Sequence, residues 1–299
     1  MTFLMRAAGN LLALQPNRLR DAATASRIGQ AERRDAPIPK RLVRQLEIDD
    51  RIIAGLRVRI LRPLAGGHNA TIIYLHGGAY VNAIATAHWH IIRELVDRTG
   101  ATVWVPSYEL APESHAQEAY PPLEAIIAEA SHAEHPLYLA GDSAGGGLAL
   151  GLAIAARDRP GPPIAGVFLF SPWVDVTMEN PAARVLERAD VMLGVDGLAY
   201  WGSRWAGAWG VQHPLVSPIF DHLGDLPPTR IYQGERDLFL PDAQRLHDKA
   251  TAAGSPSVLK TYRDGFHVFV GLTVARESQD VFADIARTMR LTGETRSPS

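Results

Sequence analysis

The chain has 299 residues, of which 46% are apolar and 21% charged, which suits one large α/β domain or two small ones around a sizeable core. Its net charge of -2 gives no electrostatic case for nucleic acid or an anionic membrane as partner. The absence of cysteine excludes disulfides and thiolate metal sites, and no apolar run approaches the ~18 residues of a membrane span.

Residues 1–45 are mostly polar with scattered leucines and read as helical, the first part of a cap. Arg6 and Asn10 interrupt the leucine-rich start and no small-residue cleavage site follows. A helix is therefore preferred over a cleaved signal peptide, and a cytoplasmic location is expected. The main domain is expected over 46–299. Between Leu46 and Leu61 the alternation Arg57-Val58-Arg59-Ile60 reads as a strand with one wet face, at the antiparallel edge of a mixed sheet. Thr71–Leu75, rich in β-branched and aromatic residues, reads as the next strand. It runs into His76-Gly77-Gly78-Ala79-Tyr80. A glycine pair after a strand lets backbone N–H groups point into a cavity. Such donors, aimed at a developing alkoxide, form an oxyanion hole. The candidates are the amides of Gly77 and Gly78, with that of Ala144 further on; His76 is expected to brace the loop.

Thr86–Arg98 has the length of a helix. His88 and His90 within it are two residues apart and do not share a face. With no carboxylate or cysteine cluster beside them, neither a metal site nor a cofactor is expected. Thr102–Val105 reads as a strand, Glu109 and Glu113 as structural anchors around Ala111-Pro112, and Pro121–Ala133 as a helix.

The apolar run Leu137–Ala140 leads into Gly141-Asp142-Ser143-Ala144-Gly145, and Gly146–Ala156 suits a buried helix. Strand, tight turn and helix around a central serine is the context of a nucleophile elbow. The plain alternative is a glycine-rich turn with an incidental serine. Asp142 is read as a structural hydrogen-bonding carboxylate. Ile164–Phe170 is a further strand, and then the rhythm breaks: from Asp175 to Pro227 no clear strand occurs, which marks a cap insertion at about 175–227. Trp201, Trp205 and Trp209, spaced by four, would share one helical face. They would either face the core or wall a substrate pocket, two outcomes that overlap.

Thr229–Gln233 reads as a strand ending in Gly234-Glu235-Arg236-Asp237, and Val258–Tyr262 as another, followed by Asp264-Gly265-Phe266-His267. A parallel sheet presents its catalytic loops just past its strand ends. In the chain order serine, acid, histidine, Ser143 is the candidate nucleophile, His267 the base and Asp237 the acid that holds the imidazole. Glu235 and Asp242 are the alternatives for the acid. Arg290–Ser299 is expected to be a frayed tail. Strand–helix alternation with nearly continuous apolar strands argues for an α/β fold, its mostly parallel central sheet flanked by helices on both faces.

The motifs His76-Gly77-Gly78-Ala79, Tyr108-Glu109-Leu110-Ala111-Pro112-Glu113, Gly141-Asp142-Ser143-Ala144-Gly145-Gly146, Ser171-Pro172-Trp173, Gly234-Glu235-Arg236-Asp237 and Phe266-His267-Val268-Phe269 together resemble the bacterial hormone-sensitive-lipase family of α/β-hydrolase esterases. The resemblance runs from about Asp49 to Phe269. It implies an α/β-hydrolase core with a helical cap and cofactor-free hydrolysis of small-molecule esters with short to medium acyl chains. Carried over by position, Ser143, Asp237 and His267 are the triad, and Gly77, Gly78 and Ala144 the oxyanion donors. The chain departs from the pattern at Ala79, where a third glycine is common, and at Gly147, where an asparagine is common. A lactone hydrolase would use the same triad. Outside enzymes, a hydrolase fold can serve as a small-molecule receptor, a reading that an incomplete triad would favour.

Overall fold

The apolar runs pair into a single sheet. The computed structural model describes residues 3–28, 34–64, 66–67, 70–133 and 135–294. Its strands are β1 (Leu46–Ile53), β2 (Leu56–Pro63), β3 (Thr71–Leu75), β4 (Thr102–Pro106), β5 (Leu137–Asp142), β6 (Ile164–Phe170), β7 (Thr229–Gly234) and β8 (Ser257–Tyr262). They lie in the order β1-β2-β4-β3-β5-β6-β7-β8. The β1–β2 and β2–β4 pairs are antiparallel, and the others parallel. The edge therefore differs from expectation in one respect: a hairpin stands where one strand was read. The turn between its arms is Ala54-Gly55, both with positive φ. Most of β1 is exposed or half-buried, so it carries no apolar period to read. The face expected to be wet is so at Arg57, which is exposed, but not at Arg59. Arg59 is buried, and its guanidinium meets Asp35 at 2.7 Å.

The helices are α1 (Phe3–Leu12), α2 (Ala22–Ser26), α3 (Lys40–Val43), α4 (Thr86–Thr99), α5 (Ala116–Ser131), α6 (Ala144–Asp158), α7 (Pro181–Leu186), α8 (Val195–Ala206), α9 (Leu240–Ala252) and α10 (Arg276–Glu294). Alternate side chains of the interior strands enter two cores. Ile73, Leu75, Leu139, Val167, Leu169 and Ile231 face one that includes α5, α6 and α8. Ile72, Tyr74, Ala140, Phe168, Phe170 and Tyr232 face the other, against α4 and α10. The period of two along each strand thus buries both faces of the sheet.

Two helix boundaries depart from the sequence reading. Helix α5 begins five residues before Pro121, where Glu118 accepts the His115 N–H at 2.8 Å. The expected tail is helical as far as Glu294, because α10 buries Val281, Phe282, Ile285 and Met289. The last five residues of that tail lie outside the described residues. Among the described residues no helix is long and apolar enough to cross a membrane.

Candidate active site

The turn from β5 into α6 holds Ser143 at φ 53, ψ −122, a backbone conformation that non-glycine residues rarely adopt. Backbone hydrogen bonds on both sides of the residue fix it. The Ser143 N–H donates to Phe170 O at 2.9 Å, and its carbonyl accepts from Gly146 and Trp173 at 3.0 and 2.9 Å. Gly145 lets α6 close onto β3, since a Cβ there would lie 2.1 Å from Leu75 O. At Gly147, a Cβ would lie 2.2 Å from Trp173 O. The departure from asparagine is thus matched by a backbone segment that leaves no room for a side chain.

Asp237 follows β7 and His267 follows β8, and the sheet brings both to Ser143. His267 Nε2 is 2.9 Å from Ser143 Oγ, and its Nδ1 is 2.9 Å from Asp237 Oδ2. Asp237 Oδ1 accepts the Phe239 N–H at 2.9 Å, and the Phe239 ring meets the imidazole edge-on at 5.3 Å. A carboxylate accepts, so the ring proton sits on Nδ1, and Nε2 offers a lone pair to the serine hydroxyl. All three side chains are buried. Burial alone would lower the imidazole's proton affinity. The charge of Asp237, with Asp190 and Asp142 adding to it, outweighs that and holds His267 above its ordinary value. The two alternative acids lie elsewhere: Asp242 accepts from Asn180 Nδ2 at 2.7 Å, and Glu235 from Thr261 Oγ1 at 3.2 Å.

The glycine loop differs from expectation. The Gly77 N–H does not face the serine; it donates to Asp142 Oδ1 at 3.0 Å. The next two residues turn at positive φ, 124 at Gly78 and 55 at Ala79, and both line the cavity that holds Ser143. Among the described residues neither of their amides meets an acceptor. The Ala144 N–H, first in α6, lies ahead of any intrahelical bond. Asp142 organises this floor, as its structural reading expected. It takes a hydrogen bond from Tyr74 Oη, and His88 Nε2 lies 3.3 Å from its other oxygen. His88 Nδ1 accepts the Ala85 N–H at 2.8 Å, so the His88 proton is on Nε2, facing Asp142. Burial would raise the Asp142 pKa, but these contacts keep it lowered. Burial and nearby His88 push His76 down to about 4, which makes it a neutral brace. Its Nδ1 donates to Gly77 O at 2.7 Å, and its carbonyl accepts from Tyr108 Oη at 2.6 Å.

Ser143 and His267 open into a mainly apolar cavity of about 480 Å³. Its walls come from α1 and the following turn (Ala8, Leu11, Leu12, Leu19), from the 175–227 segment (Met192, Leu193, Leu198) and from the His267 loop (Phe266, Val268, Leu272). Trp201, Trp205 and Trp209 are not among the lining residues. Trp201 is buried against α2, its Nε1 donating to Ala25 O at 3.1 Å. Trp205 stacks on Tyr80 at 4.2 Å. Trp209 lies past the end of α8, in a short 3₁₀ turn, stacked on His213 at 4.4 Å. Spacing by four identified the helical face, but the indoles of Trp201 and Trp205 pack into the core. Leu198, on the same stripe one turn nearer the start of α8, reaches the cavity.

A family model described as alpha/beta hydrolase fold matches residues 72–271. An acetyl-hydrolase of Streptomyces hygroscopicus is 32% identical over 209 residues, 67% of this chain and 68% of its own. The crystal structure of EstE5 soaked with p-nitrophenyl butyrate superposes with a TM-score of 0.81 and 26% identity, covering 98% of this chain and 99% of its own. That of a hormone-sensitive lipase from a metagenome library gives 0.79 and 25%, covering 96% and 98%. The match spans two thirds of the chain and every strand from β3 to β8, so the chain belongs to the α/β-hydrolase fold family, in its hormone-sensitive-lipase-like branch of carboxylic ester hydrolases.

Proposed function

We propose that the protein hydrolyses short- to medium-chain carboxylic esters through an acyl-enzyme on Ser143. His267 Nε2 takes the hydroxyl proton as Ser143 Oγ attacks the ester carbonyl, then gives it to the leaving alkoxide. Water, deprotonated by the same nitrogen, attacks the acyl-enzyme and releases the acid. Asp237 holds the Nδ1 tautomer and stabilises the imidazolium that forms twice per turnover. The amides of Gly78, Ala79 and Ala144 stabilise both tetrahedral oxyanions; Ala79 replaces Gly77 in this role because Asp142 occupies the Gly77 amide. The observation that carries the reading is the chain Asp237–His267–Ser143, joined at 2.9 and 2.9 Å, at the end of an apolar cavity.

The N-terminal segment and the 175–227 segment act as a cap. The support is that each supplies a wall of the cavity, and that they bind each other through Asn17 Nδ2 to Leu193 O at 2.9 Å and Trp201 to Ala25. The test is a panel of p-nitrophenyl esters from acetate to dodecanoate, with matched lactones, assayed on the wild type and Ser143→Ala. The wild type turns over the shorter esters, and the alanine variant loses about 10³-fold or more in kcat with its fold intact. An alanine variant with wild-type kinetics rejects the mechanism. Lactones turned over faster than matched esters would change the substrate class, and no turnover at all would favour a receptor.

A further inference from the structure

One buried carboxylate near the site has no part in the mechanism above. Asp190 sits in the loop between α7 and α8. Its Oδ1 accepts the N–H groups of Met192 and Leu193 at 2.8 and 2.9 Å. Its Oδ2 reaches across to a different part of the chain and accepts the Leu238 N–H at 3.0 Å. Met192 and Leu193 are walls of the substrate cavity, whereas Leu238 is the residue next to Asp237. Nothing in the sequence marks this contact, since the partners are 48 residues apart.

We propose that Asp190 is a positioning residue that ties the cavity wall to the loop carrying Asp237 and adds a second negative charge behind His267. The proposal rests on the Ser143–His267–Asp237 reading. The bonds at Oδ1 are local and could serve the loop alone. The bond at Oδ2 is long-range, and it fixes the backbone beside the acid. Three N–H donors face the carboxylate, an arrangement that favours its ionised form. Burial and the neighbouring charge of Asp237 oppose ionisation and push Asp190 up to about 6, while His267 works the other way. The hollow on the outer side of Asp190 also carries Arg20, Asp21, Glu187, Arg188 and Asp196. The negative charges that act on His267 are those of Asp237, in direct contact, and of Asp190 and Asp142 further off. Near neutral pH the Asp190 charge therefore supports the imidazolium form of His267, in addition to the direct contact from Asp237.

Asp190→Asn keeps the shape, removes the charge and leaves one oxygen to accept, so the bonds survive on one side only; Asp190→Ala removes them on both sides. Without the charge the His267 imidazolium is less favoured, so the acid limb of kcat/KM should move to lower pH by about half a unit or more. A residue that only supported the loop would leave this limb in place. In Asp190→Ala the freed Met192–Leu193 wall should raise KM for hexanoate about fivefold, with a smaller change for acetate, because a wall that must be ordered on binding weakens affinity. Should the alanine variant fail to accumulate, the isosteric Asn carries the decisive pH measurement. An acid limb unchanged in Asp190→Asn overturns the proposal. Ser143→Ala separates the two failures: if it is inactive while Asp190→Asn keeps the wild-type profile, the triad reading stands and this inference alone falls.

Discussion

His267 is buried, yet the anion beside it makes it a stronger base than a free histidine. In the proposed mechanism the neutral imidazole takes the serine proton, so kcat/KM should fall as pH drops through the His267 pKa. That midpoint is expected above ~6.5, the ordinary histidine value. Asp237→Asn should lower kcat by about 10⁴-fold by holding the wrong tautomer, with little change in KM. A comparable loss in Glu235→Gln or Asp242→Asn instead would reassign the acid. The meeting of Ser143, Asp237 and His267 was legible because each follows a strand end and carries a side chain whose chemistry is visible in the sequence. The amide donors were less so. A backbone N–H has no letter of its own, and the acceptor that occupies Gly77 lies 65 residues away on Asp142. Asp190 escaped notice for the same reason.

At the scale of elements, the interior strands were legible and the edges less so. Ile164–Phe170 and Thr71–Leu75 are continuous apolar runs that fill both cores, so composition alone located them. Strand β1 buries little and had no pattern to show. In the 175–227 segment the tryptophan spacing predicted a helix that holds Trp201 and Trp205 but not Trp209, and which positions of its inner stripe reach the cavity depends on α2, which covers Trp201. Trp201→Ala should therefore cost about 3–5 kcal/mol of stability, read by denaturant unfolding, and leave the ratio of hexanoate to acetate turnover unchanged. Leu198→Ala and Leu12→Ala, which enlarge the cavity, should favour longer acyl chains by about 0.8 kcal/mol for each methylene newly buried. A chain-length shift from Trp201→Ala, with none from the two leucines, would restore the tryptophans to the pocket wall.

In the whole molecule, a single carboxylate of α10 gathers side chains from two strands at the far end of the sheet. Asp284 on α10 accepts from Arg230 and Tyr232 of β7 at 2.8 and 2.9 Å, from Lys260 of β8 at 2.9 Å, and from Arg287 at 2.7 Å. Burial would raise its pKa, but Lys260, Arg287 and Tyr232 hold it down to about 2. A carboxyl lowered on folding stabilises the fold above its unfolded pKa, ~3.9. That contribution is lost as pH falls from there through the folded value. Asp284→Asn should lower stability by about 2 kcal/mol at pH 7, less than the ~3–5 kcal/mol of a fully buried broken pair because Arg287 and Lys260 reach it from solvent. Thermal melts should show the gap to wild type closing between pH 4 and pH 2, with kcat at pH 7 unaffected. A gap that stayed constant over that range would remove Asp284 from the acid response.

Helix α1 lends Ala8, Leu11 and Leu12 to the cavity. It is held by buried Met5 and by the exposed pair Arg6–Asp264 at 3.2 Å. Because no strand of the sheet passes through it, this helix can be changed without touching the sheet that carries Ser143, Asp237 and His267. Substrate range in such a protein is then an exchangeable part: grafting a different opening dozen residues would alter which esters enter, without any change to the machinery that cleaves them.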